Sequence, residues 1–193
     1  MEQPAPPIPV LPRHLTAERY FALVDEGVLS EDDRVELLEG VVVAMAPQSP
    51  RHASTVQRIA ELLRPIAGSG MTIRQQFPII LGASSAPEPD IAVVPGPASA
   101  YVDRHPDTAL LVVEVSDSSI GQDRLTKTRI YAAAGIPQYL IVNLRDDQVE
   151  SYGDPDPRIA IYRATQLARR GERVALDGFA GAQLAVDDLL PGA

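Results

Sequence analysis

Residues 109–116, ALLVVEVS, are apolar at nearly every position and carry one carboxylate. A strand with this pattern is covered on both faces and lies inside a sheet, because a half-exposed strand alternates apolar and polar residues. The segment QDRLTKTRIYAAAG follows, with a helical pattern and Ser118 or Ser119 as its cap. A second apolar strand, QYLIVNL, comes after the break at Gly135 and Pro137. Strand, helix, strand in that order predicts a crossover unit. Glu114, buried in the first of these strands, needs a partner, a proton or a metal.

Upstream, Thr16 and Gly27 bracket a short helix, and RVELLEGVVVAM reads as a hairpin or bent strand around Glu39 and Gly40. Ser49 and Pro50 start a longer helix in which Val56, Ile59, Ala60, Leu63 and Ala67 recur at helical spacing. MTIRQQFPIIL and PDIAVV read as strands, and the polar loop of residues 95–108 is assigned no site. QVESY, RIAIYRA and ERVAL read as short strands, with a frayed tail after Leu190. The first 13 residues carry five prolines and read as a flexible, extended arm. Residues 14–193 are expected to form one domain of α/β (α+β) class, a mixed sheet flanked by helices with extra C-terminal strands.

Several function classes fall away. No apolar run is long enough to cross a bilayer, and MEQPAPPIPVLPRH has neither the basic start nor the apolar stretch of a secretory signal, which predicts a cytoplasmic protein. Without cysteine, any metal must be held by oxygen or imidazole, and hard cations become the candidates. The formal charge of -9 argues against a protein that coats nucleic acid non-specifically, although a local basic groove or a bound metal is compatible with it. A nucleophile elbow, a glycine-rich phosphate loop and a His-x-x-x-His pair are all missing from the sequence.

If PDIAVV and ALLVVEVS are antiparallel neighbours with Val94 facing Leu110, Asp90 faces Glu114 on the same side of the sheet. Like charges roughly 5 Å apart at Cβ are destabilising. A divalent cation between them is one compensation. Asp90 also reads as a turn residue after Pro89. Lys127, with Ile130, Tyr131 and Ala134 at offsets of three, four and seven, falls on the inward stripe of its helix; the competing reading is a surface pair with Asp123.

In these segments the chain resembles the PD-(D/E)XK nuclease superfamily, and within it the bacterial Uma-type family of restriction-like endonucleases. RVELLEG, SPRHASTVQRIAELL, EPDIAVV, LVVEVSDSS and DRLTKTRIYAAAGIPQYLIVNL carry the likeness, over about residues 15–152. The resemblance implies a restriction-endonuclease-like core and a Mg²⁺- or Mn²⁺-dependent endodeoxyribonuclease acting on DNA. Asp90 and Glu114 match its metal ligands, and Glu36 its upstream acidic residue, with Glu39 the alternative. The superfamily's lysine usually lies two positions after the second carboxylate, where this chain has Ser116; in the Uma-type family Lys127, on the next helix, takes its place. His52 falls in a matching segment but also reads as a helix cap or surface residue. The rival reading is a catalytically inactive nuclease fold that binds DNA or protein. A homodimer built on the C-terminal strands and a separate specificity partner stay open.

Overall fold

The computed structural model describes residues 14–30 and 33–192. The proline-rich segment 1–13, read as an arm, lies outside them. Helix α1 (Ala17–Asp25) starts at Thr16, whose hydroxyl accepts the Arg19 N–H at 3.1 Å, pairing one of the donors that a helix start leaves free. Strands β1 (Val35–Leu38) and β2 (Val41–Ala44) form the expected hairpin, turning through Glu39 and Gly40 at φ 49 and 81. Positive φ at both central residues matches the twist of the flanking strands. A Cβ on Gly40 would meet the His14 Cβ at 2.5 Å, so this turn position excludes a larger residue.

Helix α2 (Pro50–Ala67) begins as predicted, with the Ser49 hydroxyl accepting the His52 N–H at 3.2 Å, and it buries Val56, Ile59, Ala60, Leu63 and Ala67. The stripe covers one face of a six-stranded sheet. The strands are β3 (Met71–Arg74), β4 (Ile91–Pro95), β5 (Leu111–Ser116), β6 (Gln138–Asn143), β7 (Gln148–Asp156) and β8 (Ile161–Arg169), adjacent in that order. Neighbours are antiparallel except β5 and β6, which run parallel across the predicted crossover. That crossover contains α3 (Ile120–Gln122), a wide turn Asp123–Lys127 and α4 (Thr128–Ala133).

β5 is buried at every position. Alternation divides its neighbourhood: Ile91, Val93, Leu111, Val113 and Val115 pack toward α2, whereas Ala92, Val94 and Val112 pack with Ile130 and Tyr131 of α4. The same parity assigns Asp90 and Glu114 to the α4 side.

Two expectations are corrected. MTIRQQFPIIL is not one strand: its pairing with β4 ends at Arg74, because Gln76 turns to φ 56 and Pro78 has no N–H to offer. QVESY and RIAIYRA are not short strands; β7 and β8 have 9 residues each and widen the main sheet. β9 (Arg173–Ala175), within ERVAL, pairs instead with β10 (Gln183–Ala185). Leu190 and α5 (Val186–Leu189) enter the α2 core, and Arg58 donates to the Leu190 carbonyl at 2.9 Å; the tail read as frayed lies beyond this residue. No described helix is long and apolar enough to cross a membrane.

Candidate active site

The β4–β5 register pairs Ile91 with Val113, Ala92 with Val112 and Val93 with Leu111. One step further sets Asp90 opposite Glu114. The Asp90 N–H donates to Glu114 Oε2 at 3.3 Å, and the Val115 N–H donates to Asp90 Oδ2 at 2.8 Å. Each carboxylate is therefore anchored by the other strand's backbone, and both are buried.

Lys127 arrives from the crossover. There the Thr128 N–H bonds back five residues to the Asp123 carbonyl, one residue more than an α-helix allows. The hydroxyls of Thr128 and Tyr139 donate to the same carbonyl at 2.9 and 3.3 Å. This π-turn interrupts the regular helix expected from the sequence. Lys127 Nζ lies 2.9 Å from Glu114 Oε1 and 3.2 Å from Glu36 Oε1. The surface pair with Asp123 is not formed, since both residues are buried. Of the inward stripe, Ile130 and Tyr131 are buried but Ala134 is exposed, because the helix has ended before Gly135 at φ 70. Ser116 is buried; its hydroxyl lies 3.3 Å from that of Ser119, which donates to Asp123 Oδ2 at 2.7 Å.

Glu36 reaches the same point from β1. Its Oε2 accepts the Glu88 N–H at 3.1 Å and its Oε1 accepts the Gln122 amide at 3.0 Å. Glu39, the alternative, lies in the hairpin turn and pairs with Arg129 in an exposed contact. Glu36, Asp90, Glu114 and Lys127 thus converge, and Glu39 does not.

Sequence reading missed several partners. His52 is neither a side-chain cap nor a surface residue: its Nε2 lies 3.0 Å from Asp90 Oδ2, and its Nδ1 is buried without a partner among the described residues. Burial works against a charge on His52, but the hydrogen bond to Asp90 and that residue's charge outweigh it and raise the pKa. Gln76 donates to Asp90 Oδ1 at 3.2 Å, and the Tyr131 hydroxyl to Glu114 Oε1 at 2.8 Å. Tyr131 was detectable as the residue one helical turn beyond Lys127, and His52 fell in a segment resembling the family but, as a lone histidine, named no partner; Gln76 carried no signal.

Glu36, His52, Glu88, Asp90, Glu114, Asp123 and Lys127 line a cavity of about 280 Å³. Negative charge exceeds positive within it. Burial pushes Glu114 well above the usual carboxylate range, aided by Asp90, Asp123 and Glu36 and opposed by Lys127. Glu88 is pushed up to about 7 by burial and by Glu36. Lys127, despite burial, is held above the ordinary lysine value by Glu114, Glu36 and Asp123, and stays an ammonium.

The donor set fits a hard divalent cation. A carboxylate offers about four lone-pair sites. Asp90 uses three, for Val115, His52 and Gln76, and Glu114 uses three, for Lys127, Tyr131 and the Asp90 N–H. One remains on Oδ1 of Asp90 and one on Oε2 of Glu114. Among the described residues no three His, Asp or Glu side chains form a ready cluster. A cation at this pair would complete its shell from water and substrate oxygens, the habit of Mg²⁺.

Comparisons with known proteins extend the geometry. A search of curated proteins finds no match. The fold is similar to a crystal structure at 1.96 Å of a "putative nuclease belonging to DUF820" from Anabaena variabilis ATCC 29413. The TM-score is 0.73 at 14% identity, over 91% of this chain and 97% of that one. The family model Uma2, described as "Putative restriction endonuclease", matches residues 17–187. That span takes in the hairpin, α2, the β4–β5 pair and the Lys127 turn, and the chain belongs to the Uma2 family.

Proposed function

We propose that this protein is a Mg²⁺- or Mn²⁺-dependent DNA endonuclease that hydrolyses phosphodiester bonds at Asp90, Glu114 and Lys127. The observation that carries the reading is the Lys127 ammonium bridging Glu114 and Glu36, 2.9 and 3.2 Å away, beside a facing Asp90. A buried lysine with three carboxyls is costly as mere structure, since ions leave water at a penalty of several kcal/mol each. Membership of a family described as restriction endonucleases supports the same chemistry.

Asp90 and Glu114 would hold the cation. When bound, it supplies Lewis acidity toward the scissile phosphate and lowers the pKa of water at the centre. Lys127 holds its proton and presents positive charge where negative charge builds on the phosphate. Glu36 and Tyr131 fix the Lys127–Glu114 contact from two sides, and His52 and Gln76 orient Asp90.

Supercoiled and linear DNA incubated with Mg²⁺ or Mn²⁺ tests this. The parent is expected to cut, and Asp90→Ala and Lys127→Ala to lose about a hundredfold or more, the loss typical of one electrostatic stabiliser. Equal cutting by the variants would remove the assignment. The lack of a ready three-ligand cluster among the described residues favours the second reading, a nuclease fold that binds without cutting. Calorimetric titration of Mn²⁺ into the parent and an Asp90→Ala, Glu114→Ala variant separates the two: binding in the parent alone supports the nuclease, and none at millimolar metal supports the binding module.

A further inference from the structure

Beyond the carboxylate centre, the strand end at β3 and the loop of residues 95–108 build a second feature. Arg74 stacks its guanidinium on Phe77 and Tyr101, 5.2 and 5.9 Å from the ring centroids. Its terminal nitrogen lies 3.3 Å from His105 Nδ1. Arginine only donates, so His105 accepts there and is the tautomer protonated at Nε2. Phe21 stacks on the His105 ring, centroids 5.0 Å apart. Arg74 Nε is buried with no acceptor among the described residues. Phe77 is 56% and Val102 78% exposed, and with Arg74, Tyr101, Arg104 and His105 they line a concavity of about 440 Å³. Two arginines face one acidic residue there, Asp103, on a chain whose net charge is -9.

This cluster is tied to the centre by one residue. Gln76 takes φ 56, a strained conformation for a side chain other than glycine, with its amide on Asp90 and Phe77 as its next neighbour in the chain. A groove lined by Gln76, Phe77, His105 and Glu88 runs between the two sites and shares Arg34, Met45 and Glu88 with the carboxylate cavity.

Building on the nuclease reading, we propose that the Arg74–Phe77–Tyr101–His105 cluster is a stacking platform for an unpaired base of single-stranded nucleic acid, next to the centre that would cut it. An exposed aromatic face beside a guanidinium takes any base by its π surface, and the exposed Arg104 charge takes a phosphate oxygen. Paired bases inside a duplex keep their faces stacked on one another and cannot reach such a platform. The substrate class is therefore single-stranded DNA or the frayed, unpaired portion of a duplex.

The chain has no tryptophan, so Phe77→Trp places a single reporter on the platform without emptying any core. Metal-free protein is titrated with a short mixed-sequence single strand and with the matching blunt duplex, at fixed salt. The expected result is saturable quenching of the indole by the single strand and weaker binding of the duplex. By fluorescence anisotropy with a labelled single strand, Phe77→Ala is expected to weaken binding about tenfold, the scale of one lost stacked base, with thermal melting unchanged. Unchanged affinity in Phe77→Ala, or tighter binding of the duplex, would overturn the platform. In either case metal-dependent cleavage that needs Asp90 would leave the nuclease reading standing. Failure to bind or cut any nucleic acid would overturn both.

Discussion

The backbone N–H of Asp90 donates to Oε2 of Glu114 across the β4–β5 pair, at 3.3 Å. Glu114 thereby has one oxygen on a strand neighbour and the other on Lys127 and Tyr131, at 2.9 and 2.8 Å. A carboxylate fixed from both ends in a buried position loses little further freedom when a ligand arrives, which is what a preorganised centre requires.

Lys127→Met removes the ammonium and leaves Glu36 and Glu114 buried side by side without it. Breaking a buried ion pair from one side typically costs about 3–5 kcal/mol. Urea unfolding of the metal-free protein is expected to show a loss on that scale. Adding Glu114→Gln to the same chain is expected to recover part of it, because burial disfavours a charge at this position and the amide carries none. Additive losses would mean that the two side chains are not coupled.

Glu36 and Glu39 are three residues apart in sequence but differ in what they do. Glu36→Gln is expected to cut nuclease activity by about tenfold or more, because the amide withdraws a charge from Lys127. Glu39→Gln breaks only the exposed contact with Arg129, with side chains 43% and 54% accessible, and is expected to leave both activity and melting temperature nearly unchanged. The reverse order of effects on activity would exchange their roles.

Glu88 makes stability depend on pH. Burial and Glu36 push it up to about 7, against about 4.3 in an unfolded chain. Its folded pKa is raised, so its favourable contribution is complete below about 4.3 and is lost as pH rises through about 7. Glu88→Gln cannot ionise. In chelator-containing buffer it is expected to match the parent near pH 4 and to exceed it by about 1–2 kcal/mol at pH 8, the range allowing for partial exposure. A difference that does not change with pH would contradict this origin.

His52→Ala leaves Asp90 held by Val115 and Gln76 alone. Groups that orient a metal ligand commonly contribute about 10–100-fold in metal affinity. Mn²⁺ calorimetry is expected to show a weakening of that order, with circular dichroism unchanged. Equal affinity in parent and variant would make His52 a packing residue.

The sequence by itself determined the parts of this protein that obey a local period. The nearly continuous apolar run of residues 109–116 made β5 central, the 3.6-residue stripe of Val56, Ile59, Ala60 and Leu63 made α2 a core helix, and the Glu39-Gly40 pair set the hairpin. Alternation put Asp90 and Glu114 on one face once Val94 was assumed to face Leu110, and the β4–β5 pairing has that register. Tertiary structure decided the rest. The choice of Glu36 over Glu39 depends on the hairpin docking against the chain before β4, where Leu37 bridges Ala86. The contact of His52 with Asp90 depends on where α2 crosses the sheet, and the inward aim of Lys127 on a π-turn whose carbonyl is partly satisfied by Tyr139, on another strand. No local pattern records such contacts: they join residues far apart in the chain, and their geometry exists only once the elements between them have packed.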